Sequence, residues 1–208
     1  MPRTLKIAML LTLTLAGPLS AQYGIRGGLS LSEISGDGFG DGGSRSGFTI
    51  GAYHTKWYSD NFGIETSAAF TQKGATAEES GVAVRAKIDY LDTGMFFVFR
   101  TAPSDGKATP LFYFGPTFAS RLGCDVEGSI GGVTVSMNCD DPDLADAFVI
   151  TRTDYGILGG IGLVFGVSPG ANFRLDAMVN LGLSDIDELG FGDANRNRTL
   201  MLMAGISF

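Results

Sequence analysis

The chain reads as all-β: an eight-stranded antiparallel up-and-down transmembrane β-barrel. Three observations predict this. Apolar residues recur with a period of two, the intervals between periodic stretches alternate in length, and the stretches exceed ordinary globular strands. Eight such stretches fall at 23–34, 47–59, 62–75, 84–100, 110–122, 153–167, 171–184 and 197–208.

The period is plainest near the two ends. In the first stretch Ile25, Gly27, Leu29 and Leu31 alternate with Arg26, Gly28, Ser30 and Ser32. In the third, Phe62, Ile64, Thr66, Ala68 and Phe70 oppose Gly63, Glu65, Ser67, Ala69 and Thr71. The seventh sets Phe173, Leu175, Ala177, Val179 and Leu181 against Asn172, Arg174, Asp176, Asn180 and Gly182. The eighth sets Leu200, Leu202, Ala204, Ile206 and Phe208 against Thr199, Met201, Met203, Gly205 and Ser207. Successive strand side chains point to opposite faces, so each stretch has one apolar face and one polar or small face. The second stretch leaves its faces unassigned.

The intervals run long, short, long, moderate, long, short, long: 35–46, 60–61, 76–83, 101–109, 123–152, 168–170 and 185–196. Outer-membrane barrels have tight periplasmic turns and long external loops, whereas a soluble sandwich has no reason to sort its connections so. About 9 to 11 tilted residues cross the hydrocarbon layer, while a globular strand averages about 5 to 6. Length and loop asymmetry together place lipid outside. A lipid-facing sheet must also close on itself, because every backbone polar group needs a partner.

An export signal precedes the barrel. Arg3 and Lys6 form a positive start, Ile7 to Ala16 an apolar core, and Pro18-Leu19-Ser20-Ala21 a small-residue end. Residues 1–21 are therefore expected to be cleaved, leaving 22–208 as the barrel. Removing Arg3 and Lys6 takes the 15 basic residues to 13 against 22 acidic ones, a net charge of −9. No Cys stands at the cleavage point to carry a lipid. An uncleaved helical anchor needs roughly 18 apolar residues, and the longest later run, 156–167, is shorter and carries five Gly. An acidic chain has no footprint for phosphate backbones, so nucleic acid is excluded as a partner.

The polar face carries Arg26, Glu65, Asp92, Asp154, Arg174 and Asp176. In a closed lumen these mixed charges are expected to pair as one network, since a buried charge needs a partner. Gly156, Gly160, Gly162 and Gly205 share that face and leave room in an interior that side chains just fill. Aromatic residues at strand ends, namely Trp57, Tyr58, Phe62, Phe97, Phe99, Phe112, Phe114, Phe165, Phe173 and Phe208, fit interfacial girdles. Phe208 is expected to close the barrel.

Several motifs resemble the PorT-like outer-membrane β-barrel family across the whole mature chain. They are Gly24-Ile25-Arg26-Gly27-Gly28-Leu29-Ser30-Leu31-Ser32, Gln72-Lys73-Gly74, Tyr90-Leu91-Asp92, Gly115-Pro116, Asp154-Tyr155-Gly156 with Gly160 and Gly162, and Gly182-Leu183-Ser184-Asp185-Ile186. Where that family usually has Glu-Ile-Pro in the fourth strand, this chain has Asp92-Thr93-Gly94. The resemblance implies an eight-stranded outer-membrane barrel and no particular activity.

Candidate chemistry is sparse. Cys124 and Cys139 bracket part of the longest interval, and in an exported protein such a pair reads as a disulfide; metal ligation or a free redox pair are the alternatives. Acidic residues crowd the outer intervals: Asp37, Asp41, Glu78, Glu79, Asp140, Asp141, Asp143, Asp146, Asp185, Asp187, Glu188 and Asp193. They read as solvated loops, because residues 36–42 lack the spacing of a known calcium loop. His54 is the single imidazole, and no spacing selects Ser32, Ser59 or Ser67 as its partner. No cofactor, metal or catalytic set is expected. The expected surroundings are outer-membrane lipid, the barrel-assembly machinery during insertion, and an extracellular or periplasmic protein partner of unknown identity. The functions weighed are a structural or surface-interaction barrel with a plugged lumen, a narrow pore for small solutes, and a barrel enzyme acting on lipid or peptide.

Overall fold

The computed structural model describes residues 21–35, 43–79, 81–101, 108–131, 133–141, 150–186 and 194–208. Residues 1–20 of the expected signal segment, together with Asp37, Asp41, Asp143, Asp146, Asp187, Glu188 and Asp193, lie outside them.

Nine strands occur among the described residues. They are β1 (Ala21–Ser35), β2 (Gly43–Trp57), β3 (Phe62–Glu79), β4 (Val82–Arg100), β5 (Thr109–Ile130), β6 (Val133–Asn138), β7 (Thr153–Ser168), β8 (Ala171–Gly182) and β9 (Arg196–Ser207). Eight of them close into an antiparallel barrel in the order β1-β2-β3-β4-β5-β7-β8-β9, with β9 returning to β1. The closing pair runs from Gly24 opposite Ser207 to Ser35 opposite Arg196. One step further, Tyr23 and Phe208 exchange both backbone hydrogen bonds, at 3.1 and 2.8 Å. The last residue thus completes the seam.

Exposure fixes which face looks out. Ile25, Leu29, Ile50, Phe112, Ile161 and Leu202 are each more than half exposed, whereas Arg26, Glu65, Lys73, Arg174 and Asp176 are buried. A water-soluble barrel would invert this arrangement; here the charges are inside and the hydrocarbon side chains outside.

Two intervals read from the sequence as loops are strand instead. Residues 76–79 continue β3 and turn at Gly81 into β4, so 76–83 is a tight hairpin. Residues 123–130 continue β5, which turns at Gly131 into β6. The chain can reverse here because Gly81 and Gly131 adopt φ of +80° and +59°, conformations that side chains with a Cβ resist. The flanking Val82, Val84, Val133, Thr134 and Val135 are β-branched and favour extended backbone. The outcome is a four-stranded flap built from the ends of β3, β4, β5 and β6, continuous with one side of the barrel. A disulfide joins Cys124 on β5 to Cys139 just after β6, with Cα atoms 5.4 Å apart, and the Cys139 amide donates to the Cys124 carbonyl.

The aromatic girdle needs one correction. Phe97, Phe99, Phe112 and Phe114 stand on the outer wall, with ring centroids of Phe97 and Phe114 5.6 Å apart and of Phe62 and Phe99 5.2 Å apart. Trp57 does not join them. It shares strand parity with Tyr53 and Thr55, and so turns into the barrel against the interior apolar cluster.

Candidate functional site

The barrel interior is organised in tiers along its axis. The tier nearer the short turns is a charge cluster drawn from β1, β3 and β8. Glu65, fully buried, accepts a hydrogen bond from Arg174 Nη1 at 2.5 Å and one from the Thr55 hydroxyl at 3.2 Å. Arg26 Nη1 lies 3.0 Å from its other oxygen and 3.7 Å from Asp176 Oδ2. Arg174 Nε donates to Asp176 Oδ1 at 2.7 Å, and the Tyr113 hydroxyl donates to the same atom at 3.2 Å. Two guanidinium groups therefore balance two carboxylates, the condition under which ions tolerate a dry interior.

Two tyrosines hold the arginines. The guanidinium carbon of Arg26 lies 4.9 Å above the Tyr53 ring, and that of Arg174 lies 5.0 Å from Tyr53 and 5.1 Å from Tyr113. Cations stack favourably on such ring faces. The rings can lie there because their cross-strand neighbours are glycines: Tyr53 opposes Gly24, and Tyr113 opposes Gly160. A Cβ on residue 24 or 160 would come within 2.3 or 2.6 Å of the ring.

Above this tier Phe96, Met178, Met201 and Met203 fill the bore, with Thr49 bonded to Thr71 and Thr117 to Asn180. The cavity they leave is about 30 Å³. Next comes a second polar tier, separate from the first. Lys73 Nζ donates to Asp92 Oδ1 at 2.8 Å and sits 4.8 Å over the Tyr90 ring. Asp154 accepts from the Ser184 hydroxyl and from Asn197 Nδ2, the latter at 2.9 Å. At the flap end Ile34, Ile88, Ile150, Ile186 and the disulfide form an apolar cap.

Of the six charges expected to share the lumen, Arg26, Glu65, Arg174 and Asp176 meet. Asp92 and Asp154 do not reach them; they lie one tier up, with Lys73 and with uncharged donors. Lys73 was the signal overlooked, since it has the parity of Glu65 on the same strand. His54 faces the outer wall, opposite Thr66 and with its ring 4.6 Å from that of Tyr23, while Ser32 turns inward to donate to the Gly74 carbonyl.

The described outer surface is mixed in sign rather than simply acidic. Lys87 donates to Glu127 across the flap, with Arg85 3.8 Å away. That hydrogen bond, with the positive field of Lys87, Arg85 and Arg45, holds the Glu127 carboxyl below its usual value. Arg121 likewise donates to Asp140 and lowers its pKa, with Arg152 contributing from 3.9 Å.

Residues 15–188 match the family described as outer membrane protein beta-barrel domain. The chain belongs to that family. Its closed barrel, with an apolar outer wall, resides in the bacterial outer membrane. Among solved structures the barrel is similar to OprG of Pseudomonas aeruginosa, at 16% identity over 91% of this chain and 96% of that one, with a TM-score of 0.49. It is similar to E. coli outer membrane protein W, at 14% identity over 92% and 100%, with a TM-score of 0.49. It is also similar to Ail, the attachment invasion locus protein of Yersinia pestis, at 18% identity over 91% and 100%, with a TM-score of 0.45. No curated protein matches the chain in sequence.

Proposed function

We propose that this outer-membrane barrel is a plugged scaffold that works at the cell surface, presenting its flap and external loops to a protein partner. One observation carries the reading: two polar tiers and an apolar cap occupy the bore, and the space between the tiers is about 30 Å³, room for about one water. A solute would have to break the Arg174–Glu65 and Lys73–Asp92 pairs to pass. The flap supplies a stiff, disulfide-fastened surface beyond the membrane, where strand edges and paired charges are available for docking. Within the family we read the chain as PorT-like, on the motifs of its first, third and sixth barrel strands. No catalytic role is assigned, His54 being placed on the lipid side. Planar-bilayer recording of the refolded protein tests the proposal. The bore should pass no steady current, and reproducible single-channel openings would return the narrow-pore reading.

A further inference from the structure

The end of the barrel away from the flap holds a cavity of about 360 Å³, within the usual range of small-molecule sites. It opens beside Gln22 and Ser207, where β1 begins, β9 ends and the short turns lie; in an outer-membrane barrel this is the periplasmic mouth. Its floor is the outer side of the charge cluster and its wall is Trp57. Among the described residues, the charged ones lining it are Arg174 and Arg100, both positive.

The donors point the same way. Arg174 is 3% exposed and spends Nη1 on Glu65 and Nε on Asp176, while its Nη2 has no protein partner. Trp57 Nε1 is likewise buried with no bonded partner. Arg100 stacks on the Trp57 ring at 3.9 Å and donates Nε to the Asp60 backbone carbonyl, leaving its terminal nitrogens for the mouth. Asp60 stands on the adjacent turn and does not line the cavity. Arginine and tryptophan side chains only donate, so Arg174 Nη2 and Trp57 Nε1 are buried donors still open to an acceptor. An arginine fork matches the paired oxygens of a carboxylate or phosphate.

We propose that this vestibule is a binding site for a small oxyanion entering from the periplasm, held by Arg174 and Arg100 with Trp57 Nε1 as a third donor. The site lies at the opposite end from the flap and does not depend on what the flap contacts.

Trp57 is the chain's single tryptophan, so the site carries its own reporter. The full mature barrel, refolded in detergent, is titrated with inorganic phosphate and separately with acetate, with ionic strength held constant by chloride. Trp57 emission should change saturably with at least one of the two, and which one responds tells phosphate from carboxylate chemistry. Arg100→Gln should weaken the response at least tenfold. Because that change alters stacking on Trp57, the thermal midpoint is read alongside: the oxyanion should raise it in the parent barrel and less so in Arg100→Gln. Three outcomes overturn the proposal: no saturable change with either anion, an equal response to chloride, or unchanged affinity in Arg100→Gln.

Discussion

Arg174 and Glu65, 109 residues apart in sequence, form a 2.5 Å charge-assisted hydrogen bond across the lumen, with both side chains almost wholly buried. Glu65 also faces Arg26 at 3.0 Å, closer than Asp176 does at 3.7 Å. Removing it leaves a net positive charge in a dry space. Breaking a buried pair from one side costs about 3–5 kcal/mol, while replacing the whole set with apolar groups of similar volume can be neutral. Glu65→Ala should therefore lower stability by about that amount in urea unfolding of the lipid-embedded barrel. The combined change Glu65→Met with Arg26→Met, which leaves the Arg174–Asp176 pair in place, should recover part of the loss. A single variant as stable as the parent would mean that the cluster is solvated.

The two tyrosine–glycine pairs make a second, sterically specific prediction. Gly24→Ala and Gly160→Ala each place a methyl inside ring contact distance. Over-packing of this kind typically costs about 1–3 kcal/mol. Displacing Tyr53 or Tyr113 also unstacks an arginine, so the loss should sit at the upper end. Gly159→Ala, next in the chain but with nothing within 4 Å of its added Cβ, is the control and should unfold like the parent. Equal effects at Gly159 and Gly160 would count against the stacked arrangement.

The inward and outward faces were legible because a period of two is a local property: Arg26, Glu65, Arg174 and Asp176 each sit one step from a lipid-facing Ile or Leu. Strand order was legible through interval lengths. Pairing inside the lumen was not. Whether Asp92 meets Arg26 or Lys73 depends on barrel stagger, which shifts each strand's height relative to the next and leaves no trace in any one segment. The flap was read as loop because its strands emerge from the membrane, where the apolar alternation has no reason to persist. Residues 76–79 and 125–130 carry Glu78, Asp125 and Glu127, and only Gly81 and Gly131 marked the turns. Trp57 was misplaced because a tryptophan beside a short turn suits a girdle and a lumen mouth alike, and parity in β2 decides between them.

The disulfide should matter to the flap far more than to the barrel. Closing about 15 residues restricts the unfolded chain by roughly 3 kcal/mol, and the closed segment here contains only the end of β5 and all of β6. Cys124→Ser with Cys139→Ser should leave the heat-modifiable migration of the barrel unchanged. Protease cleavage between residues 125 and 138 should rise by one to two orders of magnitude. Collapse of the folded band in the double variant would show that the staple supports the barrel itself.

The flap should also loosen in acid before the barrel does. Lys87, Arg85 and Arg45 hold Glu127 below its ordinary carboxyl value of 4.5, and Arg121 holds Asp140 below 3.8. A carboxyl with a depressed folded pKa adds stability that is present above the unfolded value and disappears as pH falls through the folded one. Asp140 is exposed and Glu127 partly so, and salt should mimic part of the effect by screening. Hydrogen exchange of backbone amides in residues 124–138 should accelerate, relative to its intrinsic rate, as pH drops from 6 to below 4. Amides of β8 and β9, which cross the bilayer, should keep their protection over the same range. Lys87→Met should remove most of the pH dependence at the β4–β5 rungs of the flap, because Glu127 then loses its main hydrogen-bond donor. If the parent and Lys87→Met exchange alike at every pH, the Lys87–Glu127 pair is not what fastens the flap.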